Sequence, residues 1–480
     1  MDKKIYILLP FTIMTLGALA QDTQRFAQRD IMGTARYVGM GGAMTAIGGD
    51  PSAVLDNPAG LGLYRRGEIT VSIDRMWDYT SPAGSHDKST NACSALPNLS
   101  FLWSWGNTDK QRGVIFNNLM VGVQRLATYN RSVSVSPVPA NLANTICLKT
   151  NGIEEASLQT STGNMYDLWE NSELGWLSIL GYNAYLINPQ SGSKDQWEPA
   201  MNLTTGSLTV QESGTMNQYT LDWAMNISNQ LYIGVGLDIP TLSYSKTSKL
   251  EEIGTRTSAE LTNYMTASGT GFNASVGLVY RPCQWVRMGA SFQTPTIMNI
   301  KVNSQGNLMS DSLSSAIETP WNYSPAASWI LPMHASAGVA LQVKQYGLLS
   351  LQYDFTHQPN GKNAREMADV HSFRVGAEAN IVKGLYLNAG YVWEPSFSKQ
   401  DNKQQLSNSD VRTDTDSRFT SVSHYASLGV GYRWTGVVLN AAYQYRWQRL
   451  NQYATELQDS PSSVTAQTHN IVVTLVWRFN

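Results

Sequence analysis

The side chains best suited to acid-base chemistry are the histidines, because imidazole changes charge near neutral pH. His334, His357, His371 and His424 have no obvious catalytic partner adjacent in sequence. The chain has no Gly-x-Ser-x-Gly elbow, no His-Glu-x-x-His pair and no Cys-x-x-Cys pair. The glycine run Gly39 to Gly42 is not followed by a phosphate-binding lysine, and no strand precedes it as a nucleotide fold requires. Cys93, Cys147 and Cys283 lack metal-ligand spacing and cannot all pair. These observations predict a protein that is not an enzyme and has no catalytic residues, no metal and no cofactor.

A second set of chemically capable residues is Asp222, Asp238, Arg287, Asp354, Arg374, Glu378, Arg433 and Arg446. These charges sit on the polar faces of alternating segments, where they could guide a polar solute. Ion pairing is the preferred reading, because enclosed charges need partners. The expectation is a network that ties strands to an enclosed segment. The formal net charge of -2 excludes strong attraction to nucleic acid or to anionic lipid.

The elements that hold these residues follow from composition and periodicity. Lys3 and Lys4 precede an apolar run from Ile5 to Ala20 that ends in small residues. This pattern predicts a secretory signal peptide over 1–20 and a mature chain starting near Gln21. No cysteine follows the expected cut, so no lipid anchor is expected. Beyond it no run of about 18 apolar residues occurs, which removes helical membrane spans. Charged residues make up only 15% of the chain, against about 25% in soluble domains, which predicts a surface that largely avoids water.

The dominant signal is period two. Val437, Leu439, Ala441, Tyr443, Tyr445 and Trp447 share one face, and Asn440, Gln444 and Arg446 share the other. The same pattern runs through Leu385 to Glu394 and Phe373 to Ile381. Aromatic residues such as Trp285, Tyr391, Trp393, Tyr432 and Trp434 fall at strand ends, as a headgroup girdle requires. Glycines on the presumed inner face, Gly234, Gly236, Gly429 and Gly431, leave room for something enclosed.

Segments starting near 68, 98, 112, 217, 230, 271, 284, 333, 346, 371, 384, 423, 437 and 468 give about fourteen strands, with 112–124 the least regular and open to a bulge or kink. Short turns at Ser228-Asn229, Pro282-Cys283, Gln345-Tyr346, Val382-Lys383-Gly384 and Thr435-Gly436 alternate with long polar connections at 239–270, 294–332, 356–370, 395–422 and 448–467. Short periplasmic turns and long outer loops belong to an all-β transmembrane antiparallel barrel, placed in the outer membrane of a Gram-negative cell. The alternation of Ile471, Val473, Leu475, Trp477 and Phe479 looks like a signal read by the barrel-assembly machinery, although Asn480 follows the terminal aromatic.

Residues 21–66 are too glycine-rich for a strand and too few to fold alone, so they need a cavity. Here Ala35-Arg36-Tyr37-Val38-Gly39-Met40-Gly41-Gly42-Ala43, Asp50-Pro51-Ser52-Ala53-Val54 and Asn57-Pro58-Ala59-Gly60-Leu61 resemble the FadL family of outer-membrane long-chain fatty-acid and hydrocarbon transporters. The resemblance implies a hatch (plug) over 21–66 inside a fourteen-stranded barrel over 67–480, with Asn57, Pro58, Ala59 and Gly60 as the hatch motif. Asn57 and Pro58 would orient its end and Gly60 would permit the turn into the first strand. It further implies passive uptake of a hydrophobic small molecule, captured near the third-to-fourth-strand excursion and released sideways through the wall. That excursion, 125–216, carries Trp169, Trp176, Leu177 and Leu180 at helical spacing, a candidate capture surface. The alternative is that they pack the loop onto the barrel rim. A barrel of this family serving as an anchor or shuttle in protein secretion is the second reading, and an outer-membrane hydrolase the third. The expected partners are a hydrophobic ligand, outer-membrane lipid and the assembly machinery, with no nucleic acid and a monomeric state.

Overall fold

The structure, a computed structural model, describes residues 16–83, 88–107, 109, 112–159, 165–344, 346–359, 367–397, 403 and 405–479. Most of the expected signal peptide lies outside these residues, and its last positions open a helix, α1 (Leu16–Ala27).

Fourteen strands run antiparallel to their neighbours in chain order. They are β1 (Gly67–Pro82), β2 (Ser89–Gly106), β3 (Val114–Thr128), β4 (Leu203–Ile227) and β5 (Leu231–Gly254). Then come β6 (Ser258–Tyr280), β7 (Val286–Gln293), β8 (Met333–Val343), β9 (Gly347–His357) and β10 (Val370–Val382). The last are β11 (Leu385–Glu394), β12 (Ser417–Arg433), β13 (Val437–Tyr453) and β14 (Ser462–Phe479). Pairing of Gly67 with Phe479 through Pro82 with Val464 closes the sheet. Closure removes free sheet edges, the condition for crossing lipid with strands.

The period-two pattern places its apolar residues outside. Leu475 is 52% exposed, Trp477 56%, Leu351 54% and Ile73 59%, while the alternate residues point inward and are mostly buried. An apolar band of this extent cannot face water stably, so it faces hydrocarbon. No helix among the described residues is long and apolar enough to cross a membrane. The short turns follow the sequence reading: Ser228 and Asn229 both have positive φ, and Gly384 and Gly436 take φ of 89° and 86°, a region that favours glycine.

The loops differ from expectation. Residues 239–254 and 258–270 are not a connection but the outer halves of β5 and β6, paired from Thr241–Thr270 to Ile253–Ser258. Segment 294–332 contains a further strand, Thr296–Ser310, that continues β7 and pairs with β6. At 448–467, β13 persists to Tyr453 and β14 begins at Ser462. A bilayer needs about ten residues per strand, whereas β5 has 24. Above the lipid the outer face becomes polar, so the apolar-out alternation fades while the hydrogen-bond ladder continues. The excursion after β3 likewise shortens, because Arg131–Pro139 remains paired with β4.

Residues 22–64 lie inside the barrel, with most side chains buried. Helix α2 (Ala35–Gly39) is capped by Thr34, whose side chain accepts from Tyr37 N. Two 3-10 turns follow, Pro51–Leu55 capped by Asp50 and Pro58–Leu63 capped by Asn57. Inward glycines of the wall receive this segment. A Cβ at Gly277 would overlap the Asn57 side chain, one at Gly234 would overlap Pro58 and Ala59, and one at Gly390 would overlap Gly41.

Candidate functional site

The wall is broken between β2 and β3. Their ladder runs from Gly106–Phe116 only to Asn98–Gln124. Further out β2 pairs with β1 alone, from Ala95–Asp74 to Ser89–Thr80. Two sequence features produce this. Pro97 has no amide hydrogen to donate to a ladder, and the β1–β2 register shifts between Ser72 and Asp74. Strand β3 shifts register against β4 between Arg125 and Ala127, then turns inward, so that Arg131 reaches the inner face of β1 and binds Asp78 through two nitrogens at 2.9 and 3.0 Å. The irregularity expected at 112–124 is thus a kink that opens at its outer end.

Leu126, Ala127 and Tyr129, on the kinked stretch, form one wall of an apolar chamber inside the barrel. Its other members are Met216, Leu242, Tyr244, Met265, Ala267, Met298, Ile300, Val302, Trp329 and Leu331. Phe26, from the last turn of α1, fills the centre. Its ring lies 5.3 Å from Tyr244, 6.0 Å from Trp329 and 6.1 Å from Tyr129, edge-on to the two tyrosines. Edge-to-face contacts at these spacings are favourable beyond area burial.

Beside the apolar chamber is a polar one lined by Arg29, Asp30, Asp56, His334, Asp354, Arg374 and Glu394, enclosing about 650 Å³ with its open side included. Arg374 pairs with Asp354 at 2.9 Å and Asp56 at 3.1 Å, and Arg446 pairs with Asp30 at 2.7 Å. Arg36 pairs with Glu378 at 2.7 Å, and Arg287 donates to Ile47 O at 3.1 Å. These inward charges tie wall to interior segment, as the sequence predicts. Burial, with the Asp354 charge adding to it and the Arg374 charge opposing, pushes the Asp56 carboxyl up to about 6. Arg29 stands apart. Among the described residues no carboxylate is within ion-pair distance of it, and its side chain donates to neutral Gln293 Oε1 at 2.7 Å. Burial brings its guanidinium down to about 10.

The start of the interior segment is clamped by charge. Arg25 bonds Asp22 and Glu212, each at 2.9 Å. Arg412, from the connection before β12, reaches Asp22 at 2.7 Å and Asp414 at 2.7 Å, and Lys246 bonds Asp416 at 2.8 Å. Arg418 also binds Glu212. Four cations thereby balance four carboxylates in a buried cluster, the arrangement that makes enclosed charge tolerable.

The hatch motif meets the wall directly. Asn57 Nδ2 donates to Thr45 O at 2.8 Å and to Leu278 O at 3.1 Å, while its Oδ1 accepts from Ala59 N at 3.0 Å. Pro58, Ala59 and Gly60 are buried with it. Trp169, Trp176, Leu177 and Leu180 lie far from this region, in a cap over the outer mouth. The cap comprises α3 (Leu142–Thr150), α4 (Glu155–Leu158), α5 (Tyr166–Trp169) and α6 (Trp176–Asn183). These four residues are 8%, 7%, 2% and 0% exposed, packed with Leu250, Leu308, Leu406, Leu450 and Val464 from the surrounding wall and loops. They form the interior of the cap in this state, the packing arrangement, and present little surface outward. Glu252 anchors the cap, accepting from Asn141 N and Leu142 N at 2.8 and 2.9 Å.

The sequence reading did not single out Phe26, Arg29, Asp30, Tyr129, Tyr244 or Trp329. The last three sit where alternation fades, in stretches read as loops. Cys93, Cys147 and Cys283 are free thiols.

No family model matches the sequence, and no curated protein matches it. Solved structures do. A Pseudomonas aeruginosa FadL homologue aligns with a TM-score of 0.54 at 11% identity, covering 94% of this chain and 100% of that one. The Ralstonia pickettii toluene transporter TbuX aligns with 0.52 at 13%, covering 94% and 99%. The Pseudomonas putida toluene transporter TodX aligns with 0.51 at 12%, covering 94% and 100%. At such identities the likeness is one of fold, and together with the outward apolar band and the closed ladder it makes this chain an outer-membrane β-barrel with the fold of those structures.

Proposed function

We propose that the protein conducts hydrophobic small molecules passively across the outer membrane, and that its preferred cargo carries a carboxylate on a long apolar tail. Arg29 is the observation that carries the second half. A half-buried guanidinium without an ion-pair partner among the described residues is costly, and its polar chamber shares Leu126 with the apolar cluster around Phe26. A fatty-acid carboxylate would supply the missing acceptor in a charge-assisted bond, with its tail among Tyr129, Tyr244, Trp329 and Met298 in place of Phe26. Residues 21–66 act as a hatch, and the break between β2 and β3 offers a sideways exit, because Leu126, Ala127 and Tyr129 belong both to the chamber and to the kinked strand. Two structural neighbours are described as toluene transporters, which supports a hydrophobic cargo without choosing among such molecules.

The test uses uptake of a labelled long-chain fatty acid and of a neutral hydrocarbon of equal length by cells with and without the protein. Phe26→Ala is expected to speed uptake of both, and Arg29→Gln to slow the fatty acid severalfold while sparing the hydrocarbon. Equal loss of both in Arg29→Gln overturns the carboxylate preference. No protein-dependent uptake of either, with the barrel folded in the membrane, overturns hydrophobic transport and leaves secretion support as the alternative.

A further inference from the structure

We propose that the outward face of β9 to β14, continuing onto β1, is a docking row for an outer-leaflet lipid whose headgroup carries phosphate. One arrangement recurs on three successive hairpins. On β9, β11 and β13 a tyrosine and an aromatic two residues on point outward: Tyr353 and Phe355, Tyr391 and Trp393, Tyr443 and Tyr445. A histidine of the next strand sits opposite the second aromatic, giving the pairs Phe355–His371, Trp393–His424 and Tyr445–His469. Each tyrosine hydroxyl meets its histidine at Nδ1, at 2.6, 2.8 and 2.7 Å.

A neutral phenol donates readily to an imidazole nitrogen. With the phenol as donor, the ring proton of a neutral imidazole lies on Nε2, the nitrogen that does not meet the tyrosine. Three imidazoles are thus oriented as donors on a lipid-facing wall. The rings link sideways, since His424 stacks on Trp447 at 5.1 Å and 9°, and His469 lies 5.5 Å from Tyr79 of β1.

Their height identifies what they meet. On β14 the outward residues run Trp477, Leu475, Val473 and Ile471 before His469, and then Gln467 and Thr465. On β10 they run Ile381, Ala379, Ala377, Val375 and Phe373 before His371. The histidines mark the upper edge of hydrocarbon, where headgroups lie. Aromatic rings alone suffice for a girdle; oriented N–H donors call for acceptors. Two cations flank this level, Arg75 below it, opposite Ile471, and Arg449 above it, opposite Thr465. Arg75 lies 5.6 Å from the Trp77 ring and donates to Ser94 at 2.9 Å, and Arg449 is exposed just beyond Trp447. Among the described residues the outward positions of these strands carry no carboxylate; Asp369, just before β10, is held by His357 at 2.7 Å at the far end of the row, and Asp459 is exposed in the connection between β13 and β14. Donors and guanidinium groups without intervening carboxylates match phosphate oxygens.

The experiment places the full chain in phosphatidylcholine nanodiscs doped with a sugar-phosphate glycolipid or with its dephosphorylated form. Native mass spectrometry then counts the doped lipid retained per barrel, with heat-modifiable migration as the folding control. Wild type is expected to retain severalfold more of the phosphorylated lipid, and the triple variant His371→Leu/His424→Leu/His469→Leu to lose that preference. Should the triple variant fail to fold, His424→Leu alone is expected to reduce it. A wild type that retains both lipids equally, or a preference that survives in the folded variants, overturns the proposal.

Discussion

Asp30 closes the free edge of the kinked strand at Thr128. Its carboxylate accepts from Thr128 N at 3.1 Å, and its own amide donates to Leu126 O at 2.8 Å. The other carboxylate oxygen holds Arg446 on β13 at 2.7 Å. One residue of the interior segment therefore replaces the missing ladder with β2 and ties the two sides of the lumen together. An edge left open inside a membrane wall would cost several kcal/mol per unpaired group, so the break persists because Asp30 satisfies what β2 abandons.

Asp30→Ala should release this latch. It removes the acceptor for Thr128 N and leaves Arg446 buried without its partner, a loss of about 3–5 kcal/mol for such a pair. The fourteen-strand ladder does not depend on it, so the heat-modifiable barrel should persist while protease cuts residues 22–32 faster than in wild type. Unchanged protection of that stretch would show that the charge clamp at Arg25 and Arg412 seats the segment unaided.

The seating should also depend on pH through Asp56. Its folded pKa of about 6 lies above the usual carboxylate value of about 3.9, so the folded segment binds its proton more tightly than the released one. The contribution of this group to stability is full below about pH 4, falls as pH rises to about 6 and is constant above that. Proteolysis of the segment should be slower at pH 5 than at pH 7. Asp56→Asn should flatten the difference, and an equal pH dependence in that variant would refute the assignment to Asp56.

The architecture was legible because lipid imposes a simple rule on strands: Val437 to Trp447 alternates where one face meets hydrocarbon, and four of the five short turns carry Gly, Asn or Pro. The rule stops at the headgroups. Beyond Thr241 on β5 the outer face carries Ser243, Ser245 and Thr247 in place of apolar residues, while the inner face mixes Leu242 and Tyr244 with Lys246 and Ser248, so strand and loop read alike. The turn at Asn57-Pro58 was readable because these residues perform local work, capping it. Phe26 was not, since its role depends on Tyr129, Tyr244 and Trp329, brought together from three distant stretches by ladder register. The row of Tyr-His pairs is visible in sequence only after β9 to β14 have been aligned.

Asn57 and Gly277 form a matched notch. Asn57→Ala removes a turn cap worth about 1 kcal/mol and leaves Thr45 O and Leu278 O without their donor, a further cost of about 1–3 kcal/mol each if water cannot reach them. Replacing Asn57-Pro58 with Ala-Ala should raise permeability to hydrophobic solutes while the barrel still inserts. Gly277→Leu should do the same from the wall side, because its side chain would occupy the place of the Asn57 amide. Disappearance of the heat-modifiable form in both variants would instead make the notch a requirement of folding.

Trp176 tests whether the cap takes part in capture or only covers the mouth. Its ring packs edge-on to Trp169 at 5.7 Å, and its Nε1 donates to Trp169 O at 3.2 Å. Trp176→Ala opens a cavity costing about 3–5 kcal/mol, confined to the cap core and remote from the strands that cross lipid. Faster proteolysis within 165–186 is expected, with an intact barrel. If the buried face of α5 and α6 opens to receive cargo, uptake should fall although the mouth is looser, since the apolar surface is lost along with the packing. If the cap is only a cover, the same variant should take up cargo faster, and the direction of the change separates the two.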